Sequence, residues 1–278
     1  MVRIASRRLT GRRTIVRHDD ALMRASPARA PTAELRAAIA FLTRIPVGVA
    51  GDRLVTTGAA GFGLLGAGLG LVAALPLLIA GPSHPVLAAV ACLAVLAVLD
   101  GGLHLDGLAD TFDALAAPDG AAERARTDPR AGTAGVAAIV IVLALDGAAI
   151  AEIGGRSTTT AVVAVVMAAC LSRALAPAVA VLGRATGRRA AGRLGSWFAA
   201  ETTAVQAIVS LVTALVVIVV ATEWTGVRGA ITAIGGTILA SFVASVALRA
   251  RGQIDGDGYG AGIELSFAAI LVTAALIG

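Results

Sequence analysis

Seven stretches of this chain are apolar for long enough to cross a bilayer, and no soluble fold hides that much continuous apolar surface. A window of roughly 20 apolar residues spans the hydrocarbon core as a helix, since only an intrahelical ladder satisfies the backbone where water is absent. Such windows lie near 58–80, 85–100, 132–151, 158–180, 204–222, 229–248 and 263–278. The second is short, and a moderately apolar stretch at 33–50 reads as an interfacial or re-entrant helix, so the expected count is six to eight, with seven as the working number. The fold class is therefore all-α: a polytopic helical bundle in the lipid bilayer. Of 278 residues, 57% are hydrophobic and 15% charged, and the 33 glycines sit largely inside apolar runs, which excludes a soluble enzyme and a disordered chain alike.

All 23 basic residues are arginine, and the net charge is +5. Their placement argues for membrane topology, not for a nucleic-acid partner. Residues 1–57 hold 11 arginines, 101–131 three, 181–203 four and 249–262 two, whereas the alternate loops hold only Arg156 and Arg228. By the positive-inside rule the N-terminus is cytoplasmic. Residues 1–32 are expected to be a basic, disordered extension, and 33–278 a single membrane-embedded domain. Ser6-Arg7-Arg8 does not make an export signal, because no apolar segment follows it.

Two features of the spans point to packing. Gly66 and Gly70 have the small-xxx-small spacing that lets helices approach closely, and no strand precedes them to make a nucleotide loop. Cys92 and Cys170 lie in apolar runs without a second cysteine at metal-ligand spacing, so both are expected to fill the core.

The chemistry concentrates in GGLHLDGLADTFDAL, residues 101–115. On a helix Asp106, Asp110 and Asp113 fall within about 60° of one another, with Leu105, Leu108, Phe112 and Leu115 on the opposite side. Like charges one turn apart repel, and no basic residue between 101 and 123 relieves them. A divalent cation would. Oxygen-only ligands suit Mg²⁺, usually shared with substrate phosphates, and argue against zinc. His104 should point away from Asp106, yet at a glycine-led helix start it can reach a phosphate or carry a proton.

Further along, DPRAGTAGV (128–136) sets Asp128 and Arg130 at the mouth of the third span, and Gly132 and Gly135 there would let backbone approach a ligand. Arg130 has the fork geometry for phosphate oxygens. Arg173 lies several residues inside the fourth span, where an unpaired charge costs roughly 2.5–3.5 kcal/mol, so it needs an internal anionic partner. The segment GDGYGAGIE (256–264) reads as an acidic loop able to fold tightly round a ligand, contributing Asp257 and, at the start of the last span, Glu264. A capping role for Asp257 or Glu264 is the alternative.

FLTRIPV (41–47), LHLDGLADTFDAL (103–115), DPRAGTAGV (128–136), SRALAP (172–177) and GDGYGAGIE (256–264) occur in an order that resembles the cobalamin synthase family, adenosylcobinamide-GDP ribazoletransferases. The resemblance covers residues 33–278, and its HLDGLADTFD block is the most specific part. It implies a multi-pass enzyme of the bacterial inner membrane with its site facing the cytoplasm. The implied reaction joins adenosylcobinamide-GDP to α-ribazole or its 5′-phosphate with release of GMP, a late step of cobalamin biosynthesis. Mg²⁺ is the implied cofactor. Residue by residue, the resemblance assigns catalysis to His104, Asp106, Asp110 and Asp113, metal binding to the three aspartates, and substrate binding to Asp128, Arg130, Arg173, Asp257 and Glu264. The chain departs from the family pattern at Phe267, where a second acidic residue is common. A homo-oligomer and association with other corrinoid-pathway enzymes are the protein partners it leaves open.

Two other readings compete. Asp106-Gly107 followed by Ala109 resembles the core of CDP-alcohol phosphotransferases, although Asp110 stands where that family has arginine. Many spans with clustered carboxylates also suit a cation-coupled transporter, whose sites usually lie at mid-bilayer.

Overall fold

A computed structural model describes residues 31–47, 56–118, 131–187, 189–190, 193–251 and 253–277. The expected basic extension lies outside them, apart from Pro31 and Thr32, which open helix α1 (Pro31–Leu42). A short 3₁₀ turn, Ala59–Gly61, leads into α2 (Phe62–Ala73) and α3 (Leu75–Ala80). The two helices are separate because Pro76 has no N–H for the α ladder. Next come α4 (Pro85–Asp100) and α5 (Leu103–Ala116), bent by 91° at Gly101 and Gly102. Both glycines are left-handed, with φ 65° and 70°, a conformation that a residue with a Cβ adopts only under strain.

Two long helices follow, α6 (Thr133–Arg156) and α7 (Thr158–Ala185), with Ser157 between them accepting the Thr160 N–H as an N-cap. After them come β1 (Arg189–Ala190), α8 (Arg193–Glu201), α9 (Ala204–Arg251), β2 (Gln253–Ile254) and α10 (Gly256–Ile277). β1 and β2 pair in parallel over two residues and tie the α7–α8 and α9–α10 connections together.

Among the described residues, five elements are long and apolar enough to cross a membrane, or six if the bent α4–α5 pair is one span, against the seven expected. α9 counts once over Ala204–Leu239, but Gly226 inside it has φ 61° and ψ −157°, outside any helix. Its two runs lie antiparallel. Gln206 reaches Glu34 and Thr56, Trp224 and Arg228 line a cavity with Arg156 and Ser157, and Ser241 returns to line another with Ser172 and Tyr259.

Small residues set the helix approaches. A Cβ on Gly66 would collide with the Ala169 carbonyl, and one on Gly70 would lie 2.9 Å from the Val166 Cα, so α2 presses on α7 at the two glycines whose spacing suggests it. Cys92 and Cys170 are buried and unbridged, as expected. Outside, Leu64, Leu71, Ile79, Val205, Ile208, Val212 and Val219 are exposed. So much apolar surface facing outward fits contact with lipid tails and not with water.

Candidate active site

The bend after Asp100 turns α5 back into the bundle. It packs between α6 and α10, burying His104, Gly107, Leu108, Thr111 and Ala114. The buried face is therefore rotated from the expected leucine stripe, of which only Leu108 is fully covered. Gly107 explains the rotation. A Cβ there would sit 2.8 Å from the Asp257 carbonyl oxygen, and one on Gly260 3.4 Å from the His104 Cα, so α5 and the start of α10 cross nearly backbone to backbone. The glycines of GDGYGAGIE thus serve a helix crossing. Contrary to the expected loop, the segment forms the first turns of α10, and Asp255, not Asp257 or Glu264, caps it by accepting the Gly258 N–H at 2.9 Å.

The three aspartates of α5 have different surroundings. Asp106 is exposed, while Asp110 and Asp113 are half-buried. Asp113 accepts the Gly132 N–H at 2.6 Å on one oxygen and the Gly135 N–H at 2.8 Å on the other. These are the orphan donors at the start of α6, where a carboxylate also meets the positive end of the helix dipole. A Cβ on Gly135 would fall 2.5 Å from an Asp113 oxygen, so the ligand that these glycines let in is Asp113 itself.

Behind α5 is a buried ionic cluster. His104, buried where Asp106 is exposed, puts Nδ1 3.5 Å from Asp100 Oδ2 and 3.8 Å from Glu264 Oε1. Arg173, fully buried on α7, brings Nη2 to 3.8 Å from the same Asp100 oxygen and donates from Nη1 to Ser172 Oγ at 3.0 Å. Asp100 is thus the internal anion that Arg173 requires. Phe267, at the position where an acid is common, places its ring 5.7 Å from the guanidinium carbon, a cation–π distance. Pro177 lies four residues after Arg173 and cannot donate to its carbonyl, which loosens α7 beside the cluster. Both Asp146 oxygens on α6 and both His104 nitrogens are buried without a hydrogen bond among the described residues.

Beside α5 lies a cavity of about 240 Å³, whose lining combines His104, Asp106, Asp255 and Asp257 with Phe41, Phe62, Phe198 and Tyr259. Phe198 is 5.0 Å from both Phe41 and Tyr259, ring centre to ring centre. Asp128 and Arg130 lie outside the described residues.

Residues 34–275 match the family described as cobalamin-5-phosphate synthase. The chain belongs to that family. It is 37% identical over 185 residues to an adenosylcobinamide-GDP ribazoletransferase of Citrobacter koseri, covering 64% of this chain and 71% of the relative. It is 42% identical over 123 residues to one of Ectopseudomonas mendocina (41% and 50%), and 36% identical over 152 residues to one of Rhizobium johnstonii (49% and 56%). No solved structure matches. Membership of the cobalamin-5-phosphate synthase family removes the ground for the phospholipid-enzyme and transporter readings.

The donor chemistry of this synthase-family site can be compared with what Mg²⁺ requires. Asp106 and Asp110, one turn apart on the outward side of α5, offer the hard oxygen atoms it prefers. Asp113 offers oxygens as well, each already holding a backbone N–H. Asp100, His104 and Glu264 form a second group, with ligand atoms within 4.8 Å of one another, but it includes a nitrogen donor and adjoins the Arg173 cation. The oxygen set on α5 fits Mg²⁺ better. Sequence reasoning missed Asp146 altogether, although a lone acid inside an apolar span is itself a signal. It also missed Phe198 and Tyr259, whose cluster is assembled from distant segments.

Proposed function

We propose that this chain catalyses the reaction after which its relatives are named: adenosylcobinamide-GDP plus α-ribazole, or its 5′-phosphate, gives adenosylcobalamin, or its 5′-phosphate, and GMP. The observation that carries the reading is a cavity lined by Asp106 of the α5 carboxylate stripe together with His104 and Asp257. A ribazole hydroxyl attacks the phosphorus on the cobinamide side. The new O–P bond forms as the bond to the bridging oxygen breaks, and GMP leaves with that electron pair.

Positioning and charge neutralisation supply most of the rate in such a transfer. Asp106 and Asp110 would hold Mg²⁺, which when bound neutralises the diphosphate. Asp113 fixes the start of α6 against α5. His104 takes the hydroxyl proton, its imidazole oriented by Asp100 and Glu264. Arg173 acts through Asp100 as a positioning residue. Asp257 borders the substrate cavity, and Asp128 and Arg130 are assigned to substrate binding by the family resemblance alone. The enzyme resides in the bacterial inner membrane with this site toward the cytoplasm, a placement supported by the arginine-rich loops.

The test uses protein purified in detergent with adenosylcobinamide-GDP, α-ribazole and Mg²⁺, following GMP and corrinoid product together, with Asp110→Asn beside the wild type. Equal amounts of both products from the wild type alone are expected. Turnover by Asp110→Asn at the wild-type rate would remove the carboxylate site, and no product from folded wild type would remove the activity.

A further inference from the structure

The chain has only nine aromatic residues, and five of them gather in one place: Phe41 of α1, Phe62 of α2, Trp197 and Phe198 of α8, and Tyr259 of α10. Phe198 is the hub, nearly parallel to Phe62 at 5.5 Å and edge-on to Tyr259 at 5.0 Å. α8 is held in place from α7, because Arg184 donates to the Ala199 and Thr202 carbonyls. Lipid contact does not account for the cluster, since Phe62, Phe198 and Tyr259 are buried. Four of the five rings line the cavity beside α5.

We infer that this aromatic cavity seats the flat fused-ring base of the ribazole substrate, with its sugar toward α5. The inference rests on the proposed transferase activity. Three features select this group among the parts of the two substrates. The cavity, about 240 Å³, is below the roughly 300–1,000 Å³ that encloses a drug-sized ligand, so it takes one ring system and not a corrin. Most of its lining is aromatic or aliphatic, including Phe41, Leu42, Phe62, Phe198 and Ile263, which suits a largely apolar bicycle better than the polar edge of guanine. Its charged and ionisable lining groups are His104, Asp106, Asp255 and Asp257, of which Asp255 is engaged in capping α10. A base seated among the rings directs its ribose hydroxyls to the carboxylate helix and to the imidazole that takes the proton.

The experiment separates the two substrates. Phe41→Leu, at a half-buried ring, should raise KM for α-ribazole about tenfold, the scale of losing one base–aromatic stack. KM for adenosylcobinamide-GDP should stay within about twofold, and Phe41→Tyr should restore the lower value. Independently, Trp197 fluorescence in a Trp224→Phe background should be quenched saturably by α-ribazole alone and not by GDP. A rise confined to KM for adenosylcobinamide-GDP, or quenching by GDP alone, would overturn the inference. Quenching by α-ribazole without any turnover would uphold the cavity and sink the transferase reading. Turnover in which neither KM nor fluorescence responds would do the reverse.

Discussion

Arg173 and Asp100 meet at 3.8 Å inside the bundle, both almost wholly shielded, and so join α7 to the point where α4 breaks. The pair sits where two backbone irregularities converge: the left-handed Gly101 that bends the chain into α5, and Pro177, which withholds an N–H from the Arg173 carbonyl. An ion pair here fixes the direction of the helix that carries His104 and the aspartates.

Removing one partner should therefore cost more than removing both. Arg173→Leu leaves the Asp100 carboxylate buried beside Glu264 and should destabilise the protein by about 3–5 kcal/mol, with loss of turnover. The double variant Asp100→Leu, Arg173→Leu should recover most of that stability but not activity. Denaturant titration in detergent, paired with the transferase assay, reads both. Additive losses would mean that the two residues do not act as a pair.

Asp106 and Asp113 should separate in the opposite way, although they belong to one stripe. Asp106 is exposed, so Asp106→Asn should leave Tm within a degree or two while turnover falls at least about 100-fold, the scale of losing one stabilising group at developing charge. Asp113→Ala strips two N–H groups of α6 of their acceptor and should cost about 1–2 kcal/mol of stability. A Tm for Asp113→Ala equal to wild type would show that α6 does not depend on this cap.

Two neighbouring glycines give a packing test without touching the site. Gly66→Ala drives a methyl into the Ala169 carbonyl and should destabilise by about 1–3 kcal/mol. Gly68→Ala meets nothing within 4 Å and should be neutral, or stabilising by up to about 1 kcal/mol through helix propensity. Equal thermal shifts in the two variants would count against close α2–α7 contact.

Part of this architecture is legible in the sequence. The apolar windows, the Gly66–Gly70 contact and the outward face of α5 follow from periodicity, because a helix places residues three and four apart on one side whatever its surroundings. The re-entry of α5 does not follow: Gly101 and Gly102 look like a helix start, and only the crossing at Gly107 and Gly260 shows why the chain turns inward there. The capping contacts of Asp113 are equally hidden in its spacing, since the backbone donors it meets belong to a helix 19 residues on. The aromatic cavity is invisible for a similar reason, its rings coming from positions as far apart as Phe41 and Tyr259.

The proposed role of Mg²⁺ has its own test. Chelation of divalent ions should abolish turnover, and Mg²⁺ should restore it where Zn²⁺ does not, because the α5 stripe offers only carboxylate oxygen. Restoration by Zn²⁺ alone would point instead to the group containing the His104 nitrogen.

Arg184 offers the last test, because it links a surface charge to the cavity wall. Its guanidinium donates to the Ala199 and Thr202 carbonyls at the end of α8, acceptors that no helical N–H reaches, and it adds a favourable charge at the negative end of the helix dipole. α8 has only nine residues and would be marginal alone, so such contacts decide whether it keeps Phe198 against Phe41 and Tyr259. Arg184→Ala should weaken α8 by about 1 kcal/mol, which is about fivefold faster hydrogen exchange of its amides, with no change in α6. Since Phe198 rides on α8, KM for α-ribazole should rise in the same variant. Faster exchange with an unaltered KM would mean that the aromatic wall holds its place without α8 being tethered.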